Sequence, residues 1–167
     1  EGWVLWIDSF LPILLLPVFF FLRCKNYFLT GLFLAAGIVF KQVMIPMSLL
    51  VLLFIFWESR KLTNVKSYLL GLGIPLSSMV SYFISIGVLG DFLYWTVIFN
   101  LTVFAQSGRG AGPSLAHLLR ALLVFAMPFI ILGRIKEREV QILLLFLLGS
   151  LIGLSTRFDF VHFQPAL

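Results

Sequence analysis

Apolar runs follow one another along this chain, each long enough to enter or cross a bilayer and each closed by a short charged cluster, a pattern that few folds accommodate. Residues 3–22 form the first run, interrupted only by Asp8, Ser9 and two prolines. Residues 27–40 and 43–57 are apolar on either side of Lys41 and Gln42, and runs at 68–89, 115–132 and 140–155 follow. Between them, 92–104 is aromatic and amphipathic, and 106–114 is a loop rich in Gly, Pro and Ser. Charged residues make up 11% of the chain against 61% hydrophobic, and the mean hydropathy is +1.10. Soluble domains carry about a quarter charged residues, so polar surface cannot cover these runs. The expectation is an all-α, polytopic transmembrane bundle.

The formal net charge of +5 is not spread as a stripe between exposed aromatics, and no nucleic-acid partner is expected. Eight of the twelve basic residues fall in three clusters: Arg23 and Lys25; Arg60, Lys61 and Lys66; Arg134, Lys136 and Arg138. The positive-inside rule puts all three on the cytoplasmic side. Two crossings between successive clusters achieve this, giving about six passes. The stretch 58–66 reads as a polar loop and 133–139 as a charged one. Cys24, the single cysteine, lies between two cations and reads as a bystander thiol at the surface.

Residues 27–57 must cross twice in this scheme, although one crossing takes about 20 apolar residues. One long tilted helix would place the second basic cluster outside. A helical hairpin keeps it inside, with its tip, Lys41-Gln42, below the outer membrane surface. Irregular backbone at such depth is tolerated only beside protein or a water-filled cavity. The outer face then collects Glu1, Asp8, Lys41, Gln42, Asp91, Asn100, Arg109, His117, Arg120, Arg157, Asp159 and His162. An outward-facing polar site is expected.

Lys41 is the sharpest candidate, because a lysine at the bilayer centre costs about 2.5–3.5 kcal/mol. Its blander reading is snorkelling to the interface. Asp8 suits a helix N-cap before Ser9, with a proline in the first turn, and can serve as a site carboxylate as well. Arg157, Asp159 and His162 alternate with phenylalanines, as an interfacial aromatic belt would, and also suit a lipid phosphate. Arg109, His117 and Arg120 are secondary candidates beside them. No P-loop, HExxH or GxSxG is present. The Gly149 to Gly153 spacing reads as close helix packing, and the Asn100-Leu-Thr102 sequon as chance.

Together these patches resemble the membrane domain of GT-C glycosyltransferases, in the protein O-mannosyltransferase and aminoarabinose-transferase-like branch. Asp8-Ser9-Phe10-Leu11 resembles the segment that opens an apolar helix in that branch. The stretch from Gly31 through Gly37 to Lys41-Gln42 is similar to its Gly-rich helix ending in Lys-Gly or Lys-Gln. Arg157 through His162 to Pro165 resembles its Arg…His…Pro segment, with the proline closer to the histidine here. Gly90-Asp91-Phe92-Leu93-Tyr94-Trp95 also fits. The resemblance implies a fragment of one glycosyltransferase membrane domain, with catalytic carboxylates in a first outer loop upstream of Glu1 and further helices downstream. It implies transfer of a mannose-like sugar from a polyprenyl-phosphate donor lipid to an acceptor lipid, glycan or protein, outside a prokaryotic plasma membrane. Lys41, Arg157 and His162 would bind the donor phosphate, and Gln42 would join them as a substrate-binding residue. Asp8 would face sugar or acceptor hydroxyls, or a divalent metal where a member uses one. A transporter or channel is the competing class, since transporters also break helices at their sites. Internal symmetry discriminates the two, and no second copy of the Gly-rich helix with Lys-Gln occurs here.

Overall fold

The computed structural model describes residues 10–99, 102 and 136–153, and the described residues form helices without a strand. The helices are α1 (Leu11–Arg23), α2 (Tyr27–Phe40), α3 (Ile45–Ser59), α4 (Leu62–Ser85), α5 (Leu89–Leu93) and α6 (Arg138–Gly153). A short 3-10 turn, Gln42–Met44, precedes α3, and π-helical turns, Tyr94–Ile98, extend α5.

The helices α1, α2 and α3 are apolar nearly all round, and only one stripe of each meets its neighbours. In α1, Leu11, Leu15, Val18 and Leu22 recur at helical spacing and are buried, while Ile13, Leu16 and Phe20 on other faces are exposed. Likewise Met47, Ser48, Val51 and Ile55 of α3 are buried, whereas Leu49, Leu53 and Phe56 are exposed. Pro12 sits in the first turn of α1, where its missing N–H costs nothing. Arg23 in the last turn suits the negative end of the helix dipole.

Between α1 and α2 the chain reverses in three residues. Lys25 adopts a left-handed conformation (φ 60°), and Asn26 caps α2, its Oδ1 accepting from the Leu29 N–H at 3.2 Å. At the other end of α2 the helix stops at Lys41, which is extended (φ −154°, ψ 118°). Pro46 explains why the helix does not run on. A proline inside a continuous helix would clash with the carbonyl four residues earlier, but in the first turn of α3 it is accommodated.

Contacts distant in sequence settle the direction of α3. Arg138, which opens α6, pairs with Glu58 in the last turn of α3, and its Nη2 donates to the Leu22 carbonyl of α1 at 2.8 Å. The C-termini of α1 and α3 and the N-terminus of α6 therefore meet. With α2 starting beside Leu22 and α3 finishing there, α2 and α3 form a hairpin, not one tilted helix, and Lys41 lies at its tip. We call the two extremities the basic end and the hairpin-tip end.

The stretch 58–66 is mostly helix and not the loop expected. Glu58 and Ser59 complete α3, and only Arg60 and Lys61 lie between α3 and α4. Arg60 takes the left-handed conformation (φ 49°), with its N–H still donating to Phe56, so the reversal is compressed to two residues. Polar side chains on the first turns of α4 did not prevent helix formation; they only make that end polar.

From the basic end α4 runs alongside α2, and glycines set the distance between them. A Cβ on Gly31 would lie 2.2 Å from the Tyr68 carbonyl oxygen, and one on Gly71 would lie 2.0 Å from that of Phe28. Tyr68 is buried at this crossing, its hydroxyl donating to the Ser48 carbonyl at 3.0 Å and lying 2.8 Å from the Ser48 hydroxyl. Across α3 lies α6, where a Cβ on Gly149 would meet the Met47 Cα at 2.7 Å. The close packing expected from the Gly149 spacing is thus present, against α3.

Of the described helices, Leu62–Ser85 alone is long and apolar enough to cross a membrane, while Leu11–Arg23, Tyr27–Phe40, Ile45–Ser59 and Leu89–Ile98 are apolar but shorter. At 1.5 Å per residue α2 and α3 are each about 21–23 Å long and α4 about 36 Å. Beyond the glycine crossing α4 continues about 7.5 Å further than α2. The hairpin tip therefore falls short of the end of α4.

Candidate functional site

The tip is built by a polar dipeptide between two apolar helices. The Lys41 N–H closes α2 by donating to the Gly37 carbonyl at 2.8 Å, and its own carbonyl accepts from Met44 N–H at 3.1 Å. Lys41 is half-buried and Gln42 exposed. Around them Val39, Phe40 and Ile45 present exposed apolar side chains. Met44 is buried beneath the turn, where its side chain lies 3.7 Å from the position a Cβ of Gly37 would take. A Cβ there would stand in ordinary van der Waals contact, so Met44 packs beside Gly37 and anchors the tip to α2 without requiring the glycine. The result is a fixed cation and an amide at one end of an otherwise apolar hairpin.

Lys41 and Gln42 are the only candidate residues among the described ones. Asp8, Arg109, His117, Arg120, Arg157 and His162 lie outside the described residues, as do Glu1, Asn100 and Asp159. Asp91 is described, in the first turn of α5, where a carboxylate suits the positive end of the helix dipole. Beyond it Tyr94, Trp95, Val97 and Ile98 are exposed, and Phe92 stacks on Phe83 of α4 with ring centroids 4.1 Å apart. The aromatic segment expected here is helical over its described part. Among the described residues no group of three or more His, Cys, Asp or Glu is placed to hold a metal ion.

The basic end is electrostatically different, and the sequence did not announce its pairing. The Arg138 and Glu58 side chains are 18% and 24% exposed, so their pairing takes place largely out of solvent. The Arg138 guanidinium also lies 5.8 Å from the centre of the Phe54 ring. On the outside of the same junction Arg23 Nε donates to Glu139 Oε1 at 2.9 Å. Hydrogen bonding to its own backbone N–H, with a further contribution from Arg23, holds the Glu139 carboxyl below its usual range. Cys24 is exposed at this end, as expected. Described members of all three basic clusters gather here: Arg23 and Lys25, then Arg60, Lys61 and Lys66, then Lys136 and Arg138.

No protein-family model matches this chain, nor does any curated protein or solved structure.

Proposed function

We propose that this chain is a membrane-embedded part of a glycosyltransferase that takes a sugar from a polyprenyl-phosphate carrier. The carrying observation is the helix break at Lys41, which puts a cation at the end of the bundle opposite the basic clusters. Lipid covers the apolar stripes that the helices leave exposed, and the basic end faces the cytoplasm. In that frame the chain makes about six passes, counting segments outside the described residues, and the hairpin tip sits beneath the outer surface.

The chemistry needs a cation in this place. As the acceptor oxygen bonds to the anomeric carbon, the bond from that carbon to the phosphate oxygen breaks, and its electron pair leaves with the polyprenyl phosphate. The acceptor proton passes to a general base, which the resemblance puts upstream of Glu1. Negative charge on the departing phosphate grows along this path. A positioned ammonium in a site poor in water stabilises that charge most where it is largest. Lys41 supplies the ammonium and Gln42 a hydrogen-bond donor, with Arg157 and His162 joining from the outer segment and Asp8 meeting sugar or acceptor hydroxyls.

In the full-length enzyme, Lys41→Ala should lower kcat/KM for sugar transfer by about a hundredfold or more, with membrane insertion unchanged, because a charge contact made in the transition state is lost. His162→Ala should be milder, since neutral imidazole offers a hydrogen bond and not a fixed charge. Normal turnover in a Lys41→Ala, Arg157→Ala double variant would remove the phosphate site. Substrate translocation without sugar transfer would favour a transporter instead.

A further inference from the structure

The basic end carries more cation than its own carboxylates use. Among the described residues its carboxylates are Glu58, Glu137 and Glu139; Glu58 is taken by Arg138 and Glu139 by Arg23. Lys25, Arg60, Lys61, Lys66 and Lys136 remain, all exposed, and no ion pair reaches them from the described residues. Five cations therefore face outward against Glu137. Two of them, Lys25 and Arg60, sit at left-handed turn positions that close helices at this end. In the helix turns next to them is an exposed apolar rim: Phe20, Phe56, Trp57 and Leu62. A nucleic acid or an acidic peptide would find the cations but not a use for that rim. A lipid has both parts, an anionic headgroup for the collar and acyl chains for the side chains below it.

We propose that the basic end binds the headgroups of anionic phospholipids selectively over zwitterionic ones. The proposal rests on the reading that the bundle lies in a bilayer, and it adds a lipid-binding surface at the end opposite the hairpin tip. Each cation near a charged leaflet attracts it measurably, and the attraction fades within a Debye length. Selectivity should thus be confined to this end of the molecule.

Two native tryptophans report on it separately. Trp57 is 66% exposed in the last turns of α3, beside the cations, and Trp95 is 60% exposed beyond α5, past the opposite end of α4. The full chain, with every tryptophan but one changed to phenylalanine, is reconstituted in bilayers containing brominated phosphatidylglycerol or brominated phosphatidylcholine at equal mole fraction. Fluorescence quenching gives the relative binding of the two lipids at each reporter. The expected ratio is about fivefold in favour of phosphatidylglycerol at Trp57 and about unity at Trp95. The Trp57 preference should fall towards unity in molar KCl, and likewise in a Lys25→Gln, Arg60→Gln, Lys61→Gln variant. Equal quenching by both lipids at Trp57, or a preference indifferent to salt, would overturn the proposal while leaving the membrane reading intact. Absence of quenching at both tryptophans by either lipid would overturn both.

Discussion

The two ends of the bundle are made from the same apolar helices and finished in opposite ways. At the basic end three helix termini are tied by side chains: Arg138 joins Glu58 and the Leu22 carbonyl, and Arg23 reaches Glu139. At the hairpin tip the fastening is apolar, through Met44 under the turn, and neither the 3-10 turn nor α3 starts with a side-chain cap. Charge at one end ties helices together through the Arg138–Glu58 and Arg23–Glu139 pairs. At the other end Lys41 is positioned where α2 stops and the 3-10 turn folds over the buried Met44.

The sharpest way to break this comparison is to ask whether the ends lie on opposite sides of a membrane. In intact cells a membrane-impermeant maleimide should leave Cys24 unmodified until the membrane is permeabilised. In a Cys24→Ser background, Gln42→Cys should be modified from outside without permeabilisation. Labelling of both positions from the same side would collapse the distinction.

Next in size is the crossing that holds the two-ended arrangement in register. Gly71→Leu would drive a side chain into the Phe28 backbone, since even a Cβ there comes within 2.0 Å of its carbonyl oxygen. Backbone cannot yield as a flexible side chain can, and overpacking of this kind costs about 1–3 kcal/mol or more. The expected result is loss of the detergent-stable fold, measured by thermal melting, whereas Gly73→Ala, with nothing within 4 Å, should melt near the parent.

The smallest expected effect separates pairing from mere charge at the basic end. Glu58→Gln alone leaves Arg138 half-sheltered without its counter-charge and should destabilise by about 1–3 kcal/mol, less than the figure for a wholly buried pair because both partners keep some solvent. Glu58→Gln with Arg138→Met should recover part of that loss. A double variant as unstable as the sum of the two single ones would mean that the pair is not the fastener.

Much of this was legible in the primary structure, and the limits are instructive. The bounds of α2 follow from where the apolar run stops, and the break at Lys41-Gln42 follows from the need to cross twice in a short stretch. Pro46 reinforces the break and was readable, but the charge argument reached the same place without it. The gathering of basic clusters at one end followed from counting crossings. The Glu58–Arg138 pairing was not legible, because a charge in a presumed loop looks solvated until a partner from another helix arrives. The Gly31–Gly71 crossing was missed although it was readable: Gly31 with Ala35 and Ser67 with Gly71 each have the small-residue spacing that lets helices approach closely. Of the candidate site, Lys41 and Gln42 fell on the tip as expected, and the remaining candidates lie outside the described residues.

The crossing of α2 with α4 also bears on how the chain is made. Because α3 intervenes in sequence but not in that contact, α2 cannot complete its packing face when it leaves the ribosome. It must wait until Tyr68 and Gly71 have been synthesised, and Ser48 waits for the same tyrosine. Two short helices joined by a lysine are poor candidates to enter a bilayer one at a time. On the proposed membrane reading, α2 and α3 would enter the bilayer together with α4, as a single parcel whose last-made member is the one that seals it.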